Sequence, residues 1–200
     1  MIFLSRVLLL NPPGDKLYLR DQHCSSVSKA SYYWPPIDLL MLSGILAADH
    51  EVWVIDAIIE GLTEMDCLER ICRIQPDFLV FVTGLVSWLS DFAFAEKVKS
   101  RTGCTTIASG GFLRSDYLTV MEKFSFLDAV LFDYTSDGIR QYIKGETAVT
   151  DICFRQEGRP VKAPEIKQKT FNVPVPRHDL FPLHLYRLPH ARHRLFTCVL

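Results

Sequence analysis

The chain has 200 residues, 48% of them hydrophobic and 22% charged, with 22 Lys and Arg against 23 Asp and Glu and a net charge of −1. That length holds one domain with an appendage or two small ones, and the balance is that of an ordinary globular protein. The near-zero charge gives no field drawing the chain to nucleic acid or anionic lipid, so neither is expected as a partner.

The early apolar stretch Ile2–Leu10 is broken by Ser5 and Arg6 and has no basic region ahead of it. Neither a signal peptide nor a membrane span is expected, and a cytoplasmic location follows as the expectation. Cysteines stand at 24, 67, 72, 104, 153 and 198, with no CxxC pair. They read as buried or idle thiols rather than a disulfide or metal framework.

Five short apolar runs punctuate the first three quarters of the chain. Val7–Leu10 ends at Asn11-Pro12-Pro13-Gly14. Val52–Asp56 follows, then Phe78–Val82 ending at Thr83-Gly84, Thr105–Ala108 ending at Ser109-Gly110-Gly111, and Ala129–Phe132 ending at Asp133. Continuous runs bounded by turn residues suit strands buried on both faces. Helical spacing fills the gaps. Ile37, Leu40, Met41, Gly44, Ile45 and Ala48 share a face. Thr63 caps a helix that Pro76 ends, Asp91 opens a third, Ser115 or Asp116 a fourth, and Asp137 a fifth closed by Gly145. Strand–helix alternation predicts a Rossmann-like or flavodoxin-like, doubly wound α/β domain over residues 1–148, with a five-stranded parallel sheet of order 2-1-3-4-5. Residues 149–200 read as a β-hairpin turning at Gln156-Glu157-Gly158, then an extended proline-rich arm or linker.

Such a sheet binds ligands at the carboxyl ends of its strands, where strand order reverses. That points to Asn11, Pro12, Pro13 and Gly14 after strand one and to Thr83, Gly84, Leu85, Val86 and Ser87 after strand three. Ser109, Gly110, Gly111 and Phe112 after strand four and Asp133 and Tyr134 after strand five complete the candidate cofactor-binding rim. Between Pro12 and Pro35 the first connection runs over 20 residues, where ~2–6 is usual, and long loops on rigid scaffolds carry function. There is no GxGxxG and no GxxxxGK[ST], so no phosphate-cradling NAD or ATP site is read. Gly110-Gly111 also reads as a plain turn, Ser87 as a loop hydroxyl and Trp88 as a core or lid aromatic. Asp15, Asp21, His23 and Asp38 cluster without metal spacing.

Taken in order, these segments resemble the cobalamin-binding domain that precedes the barrel of class B radical-SAM enzymes. The resemblance rests on Asn11-Pro12-Pro13, Pro35-Pro36-Ile37, Leu42–Ala48, His50-Glu51-Val52 and Ile55-Asp56-Ala57. It continues through Pro76–Gly84, Gly110-Gly111, Gly158–Pro164, Val173–Pro176 and Asp179–Tyr186. It implies cobalamin over the strand ends, with a 4Fe–4S cluster and S-adenosylmethionine held by a downstream radical-SAM barrel acting on a small molecule. The full protein would then methylate, rearrange or cyclise carbon, as in the anaerobic magnesium-protoporphyrin IX monomethyl ester cyclase type. The chain would stop before the CxxxCxxC motif, carry no catalytic residue of its own, and not use Cys198 as a cluster ligand. Departures stand beside the match. Asp21-Gln22-His23 is followed by Ser26 where a cobalt-ligating DxHxxG motif has glycine. Phe112-Leu113 and Asp133–Ser136 differ from the family's fourth and fifth loops. An alternative therefore stays open, in which the module binds no cofactor and serves docking or substrate access.

Overall fold

The computed structural model describes residues 4–29, 33–166 and 173–187. In chain order the elements are β1 (Arg6–Asn11), β2 (Tyr18–Arg20), β3 (Ser25–Val27), α1 (Ile37–Leu46), β4 (Glu51–Asp56), α2 (Glu64–Ile74) and β5 (Phe78–Val82). Then follow α3 (Trp88–Thr102), β6 (Thr105–Ser109), α4 (Leu113–Lys123), β7 (Ala129–Leu131), α5 (Gly138–Ile143), β8 (Ile152–Gln156) and β9 (Arg159–Lys162). The five apolar runs form the parallel strands, in the order β4-β1-β5-β6-β7, which is the expected 2-1-3-4-5. The β8–β9 hairpin does not stand apart. It pairs antiparallel with β7 and makes the sheet seven-stranded. Its turn uses left-handed backbone at Glu157 (φ 51°) and Gly158 (φ 79°), the geometry that matches strand twist in a two-residue loop.

Alternate residues of the strands feed two cores. Val7, Leu9, Val80 and Ile107 pack with α1, α5 and the 173–187 segment. Leu8, Leu10, Leu79 and Phe81 pack under α2, α3 and α4. Helix α1 is buried from Asp38 to Leu46 because it is sandwiched, with the sheet on one side and the proline-rich segment on the other. A Cβ on Gly44 would lie 2.6 Å from the Val175 carbonyl oxygen, so glycine is what allows that backbone to sit on the helix. The Arg177 N–H donates to Ser43 Oγ at 2.9 Å, and Phe181 and Tyr186 enter the first core. The described part of the arm thus runs as a strap over α1, held at Ser43, Phe181 and Tyr186.

Two helices start earlier than the sequence indicates. Helix α3 begins at Trp88 with Ser87 at its N-cap position, and α4 begins at Leu113. Asp91 is withheld from capping because its carboxyl is engaged elsewhere. Thr63 caps α2 as expected, accepting from the Asp66 N–H, and the helix ends on left-handed Gln75. No described helix is long and apolar enough to cross a membrane.

Candidate functional site

The carboxyl ends of β4, β1 and β5 meet a side chain that sequence reasoning overlooked. Arg20, on β2 within the long first loop, points into the switch point with its side chain 0% exposed. Its Nη2 meets Asp91 Oδ1 at 2.6 Å and its Nε meets Asp91 Oδ2 at 3.1 Å and Ser87 Oγ at 3.0 Å. Nη1 donates to Asn11 Oδ1 (2.9 Å) and the Pro12 carbonyl (2.8 Å), and Nη2 also approaches the Pro13 carbonyl (3.5 Å). All five N–H groups of the guanidinium are used. Asp91 Oδ2 also accepts from Ser87 Oγ (2.7 Å) and Thr83 Oγ1 (2.9 Å). Burial pushes the Asp91 carboxyl up, against the opposing pull of Arg20.

The network continues the other way. Asn11 Nδ2 donates to Asp56 Oδ1 (2.8 Å) and Tyr33 Oη (2.6 Å), and Tyr186 Oη donates to Asp56 Oδ2 (3.0 Å). A buried polar chain therefore runs from the C-terminal strap through Asp56, Asn11, Arg20 and Asp91 to Thr83. Burial raises the Asp56 carboxyl to about 6.

Above this floor lies the glycine rim. Gly110 packs so closely on the Thr83 carbonyl that a Cβ would collide with it. A Cβ on Gly84 would strike Ser25 Oγ, and one on Gly111 would strike the Gln22 carbonyl oxygen. The tip of the β2–β3 hairpin rests on both glycines. It is tied across the rim by Gln22 N–H to Asp38 Oδ1 (3.2 Å), by Gln22 Nε2 to the Phe132 carbonyl, and by Val86 N–H to Ser25 Oγ (3.4 Å). Asp38, 1% exposed in the first turn of α1, also accepts from Ser109 Oγ at 3.3 Å; burial raises it to about 7.

The predicted rim residues do come together at one end of the sheet, in different roles. Asn11, Pro12, Pro13, Thr83, Gly84, Ser87, Ser109 and Gly110 are buried, and the polar side chains among them are bonded within the protein. Gly14 is exposed beside the Tyr18 ring. Leu85 and Val86 are 64% and 49% exposed. Gly111 and Phe112 are half-buried, Phe112 lying 6.3 Å from Trp88 in an aromatic group that joins the second core. Asp133 accepts from the Thr135 N–H of its own turn (2.8 Å), and Tyr134 stands edge-on to His23. The functional groups missed were Arg20, Gln22, Ser25, Tyr33 and the buried carboxyls of Asp38, Asp56 and Asp91. A lone Arg after Tyr18-Leu19 was the one available signal. Among the described residues no group of three or more His, Cys, Asp or Glu is placed to hold a metal. His190, His193 and Cys198 lie outside the described residues. The described cysteines are free; burial pushes Cys67 up to about 12 and Cys153 up to about 11, which suits core thiols.

No family model matches the chain. An uncharacterized methyltransferase of Pyrococcus horikoshii is 26% identical over 198 residues, covering 91% of this chain and 40% of the relative. Among solved structures, the radical S-adenosylmethionine methyltransferase TsrM of Kitasatospora setae, with cobalamin and a 4Fe–4S cluster bound, superposes with a TM-score of 0.60. It is 15% identical over 81% of this chain and 31% of its own. The cobalamin-dependent S-adenosylmethionine radical enzyme OxsB, with aqua-cobalamin bound, gives 0.64 at 16% identity, over 90% of this chain and 25% of its own. The fold is shared with these enzymes. The chain spans less than half the length of each.

A corrin over the strand ends, as the sequence resemblance implies, would need open backbone at Gly84 and Gly111. Here Ser25 and Gln22 take that space. The residues do not fit the group in this conformation.

Proposed function

We propose that the chain is the corrin-seating Rossmann module of a cobalamin-dependent radical-SAM enzyme, working beside a radical-SAM domain of the same protein on a small-molecule substrate. The observation that carries this reading is the fold likeness to two such enzymes, joined to a glycine rim at the switch point of the sheet. A relative named as a methyltransferase supports methyl transfer over cyclisation as the full protein's reaction. Exposed Leu85, Val86 and Leu89 border the rim and suit apposition to a second domain.

A closed module that binds no corrin is the second reading, favoured by Gln22 and Ser25 covering the glycines. The discriminating experiment is reconstitution of the chain with hydroxocobalamin, followed by desalting and a visible spectrum. Retained corrin bands are expected. A colourless protein, both for the natural sequence and for a variant with its loop tip loosened, would sink the cobalamin reading.

A further inference from the structure

We infer that the tip of the first loop, residues 21–27, occupies the corrin's place in the crevice and must leave for cobalamin to bind, while Arg20 stays. The inference rests on the proposed function and adds the competitor for that site.

The loop is held very unevenly. Its stem is anchored in the fold, with Tyr18, Leu19 and Arg20 all buried and Arg20 using every donor it has on the floor of the crevice. Its tip has no buried side chain: Asp21, Gln22, Cys24, Ser25 and Ser26 are intermediate, and His23 and Val27 are exposed. What the hydrogen bonds give the tip is local, an Asx turn on Asp21 (Cys24 N–H to Oδ1 at 2.5 Å) and the short β2–β3 ladder. A two-stranded ladder is marginal in water without a packed face.

Among the described residues three polar contacts reach across from the tip to the rim, and each goes to a different element. Gln22 N–H binds Asp38 in α1, Gln22 Nε2 binds the Phe132 carbonyl after β7, and Ser25 Oγ binds the Val86 N–H before α3. The tip therefore bridges the crevice from the fifth parallel strand to the third, across the region a flat macrocycle over the strand ends would cover. A ligand that touches Gly84 and Gly111 cannot coexist with Ser25 and Gln22 where they are. Removing the tip breaks these few hydrogen bonds and the short ladder and takes no buried side chain out of the fold, whereas removing Arg20 would strand a buried carboxylate.

The test uses this chain, hydroxocobalamin and amide hydrogen exchange. Without ligand, Gly111→Ala places a Cβ on the Gln22 carbonyl; exchange at residues 22–27 should quicken while the parallel sheet keeps its protection. Unchanged exchange would mean that the tip does not sit on Gly111, which overturns the inference. With hydroxocobalamin bound to the natural sequence, residues 22–27 should likewise lose protection. The Gln22→Ala/Ser25→Ala variant, which removes two tethers and leaves the fold's core untouched, should bind hydroxocobalamin on the order of tenfold more tightly. Equal affinity of variant and natural sequence, or corrin bound with 22–27 still protected, overturns the displacement and leaves the cobalamin reading standing. Binding by neither protein overturns both.

Discussion

Replacing Arg20 with Met tests whether the first loop is built on a buried ion pair. Both side chains are 0% exposed and meet at 2.6 Å, and the guanidinium also serves Asn11, Pro12, Pro13 and Ser87. Methionine matches the stem but leaves Asp91 in a dry site with only the Thr83 and Ser87 hydroxyls on Oδ2. Breaking a buried pair from one side costs about 3–5 kcal/mol. Against a net stability of about 5–15 kcal/mol this is about a fifth or more of the total. The double variant Arg20→Met/Asp91→Leu removes the stranded charge, but still strips a donor from the Pro12 carbonyl and Asn11 Oδ1, worth about 1 kcal/mol each. It should therefore recover roughly 2 kcal/mol relative to Arg20→Met alone, and the Asp91→Leu single variant completes the cycle from which the coupling is taken. Equilibrium urea unfolding followed by circular dichroism gives each corner of the cycle from the midpoint at constant slope. A single-variant cost below about 1 kcal/mol, with no coupling, would refute the buried pair and the docked stem with it.

The remaining predictions concern the other buried carboxyls and the strap. Asp56 and Asp38 titrate near 6 and 7 in the fold against an ordinary 3.8, so the native state holds protons that the unfolded chain has released. Their stabilising contribution is complete below about pH 4 and is lost as pH rises through 6 and 7, and Asp38→Asn should flatten that fall in urea midpoints between pH 5 and 8. Tyr186→Phe removes the hydroxyl that donates to Asp56 Oδ2 and should cost about 1–3 kcal/mol above pH 7 and less at pH 5, where Asp56 is largely protonated. Gly44→Val drives a side chain into the Pro174 and Val175 carbonyls; it should lift the strap and speed proteolytic cutting within residues 173–187, measured by limited proteolysis with mass spectrometry.

Most of the sheet was legible because both faces of its strands are buried. Val7–Leu10 feeds Val7 and Leu9 into one core and Leu8 and Leu10 into the other, so it reads as an unbroken apolar run. Thr63 and Gly145 marked helix ends by local chemistry, and Asp137 stands at the start of α5 without capping it. Three features escaped for identifiable reasons. The strands β2 and β3 have three residues each, too short for alternation to register. Asp91 looked like a cap because nothing local reveals an arginine 71 residues away. The seat of the proline-rich arm was not legible, because proline content reports what a segment cannot hydrogen-bond, while Phe181 and Tyr186 decide where it packs.

The glycine rim marks a deeper limit of sequence reading. A glycine at a strand end says that something comes too close to the backbone for a Cβ, and leaves open what that something is. Gly110 meets its own neighbouring turn through the Thr83 carbonyl, a demand of the sheet that no ligand enters. Gly84 and Gly111 meet the tip of a loop that is anchored at its base and weakly tied at its end. The first contact is fixed by strand spacing and predicts nothing about cofactors. The other two are exchangeable, since a loop tip with no buried side chain can be replaced by any partner that covers the same backbone at least as well. Under the proposed reading, then, Gly84 and Gly111 are the rim glycines that would bear on cobalamin, through competition between the chain and the corrin for one strip of backbone.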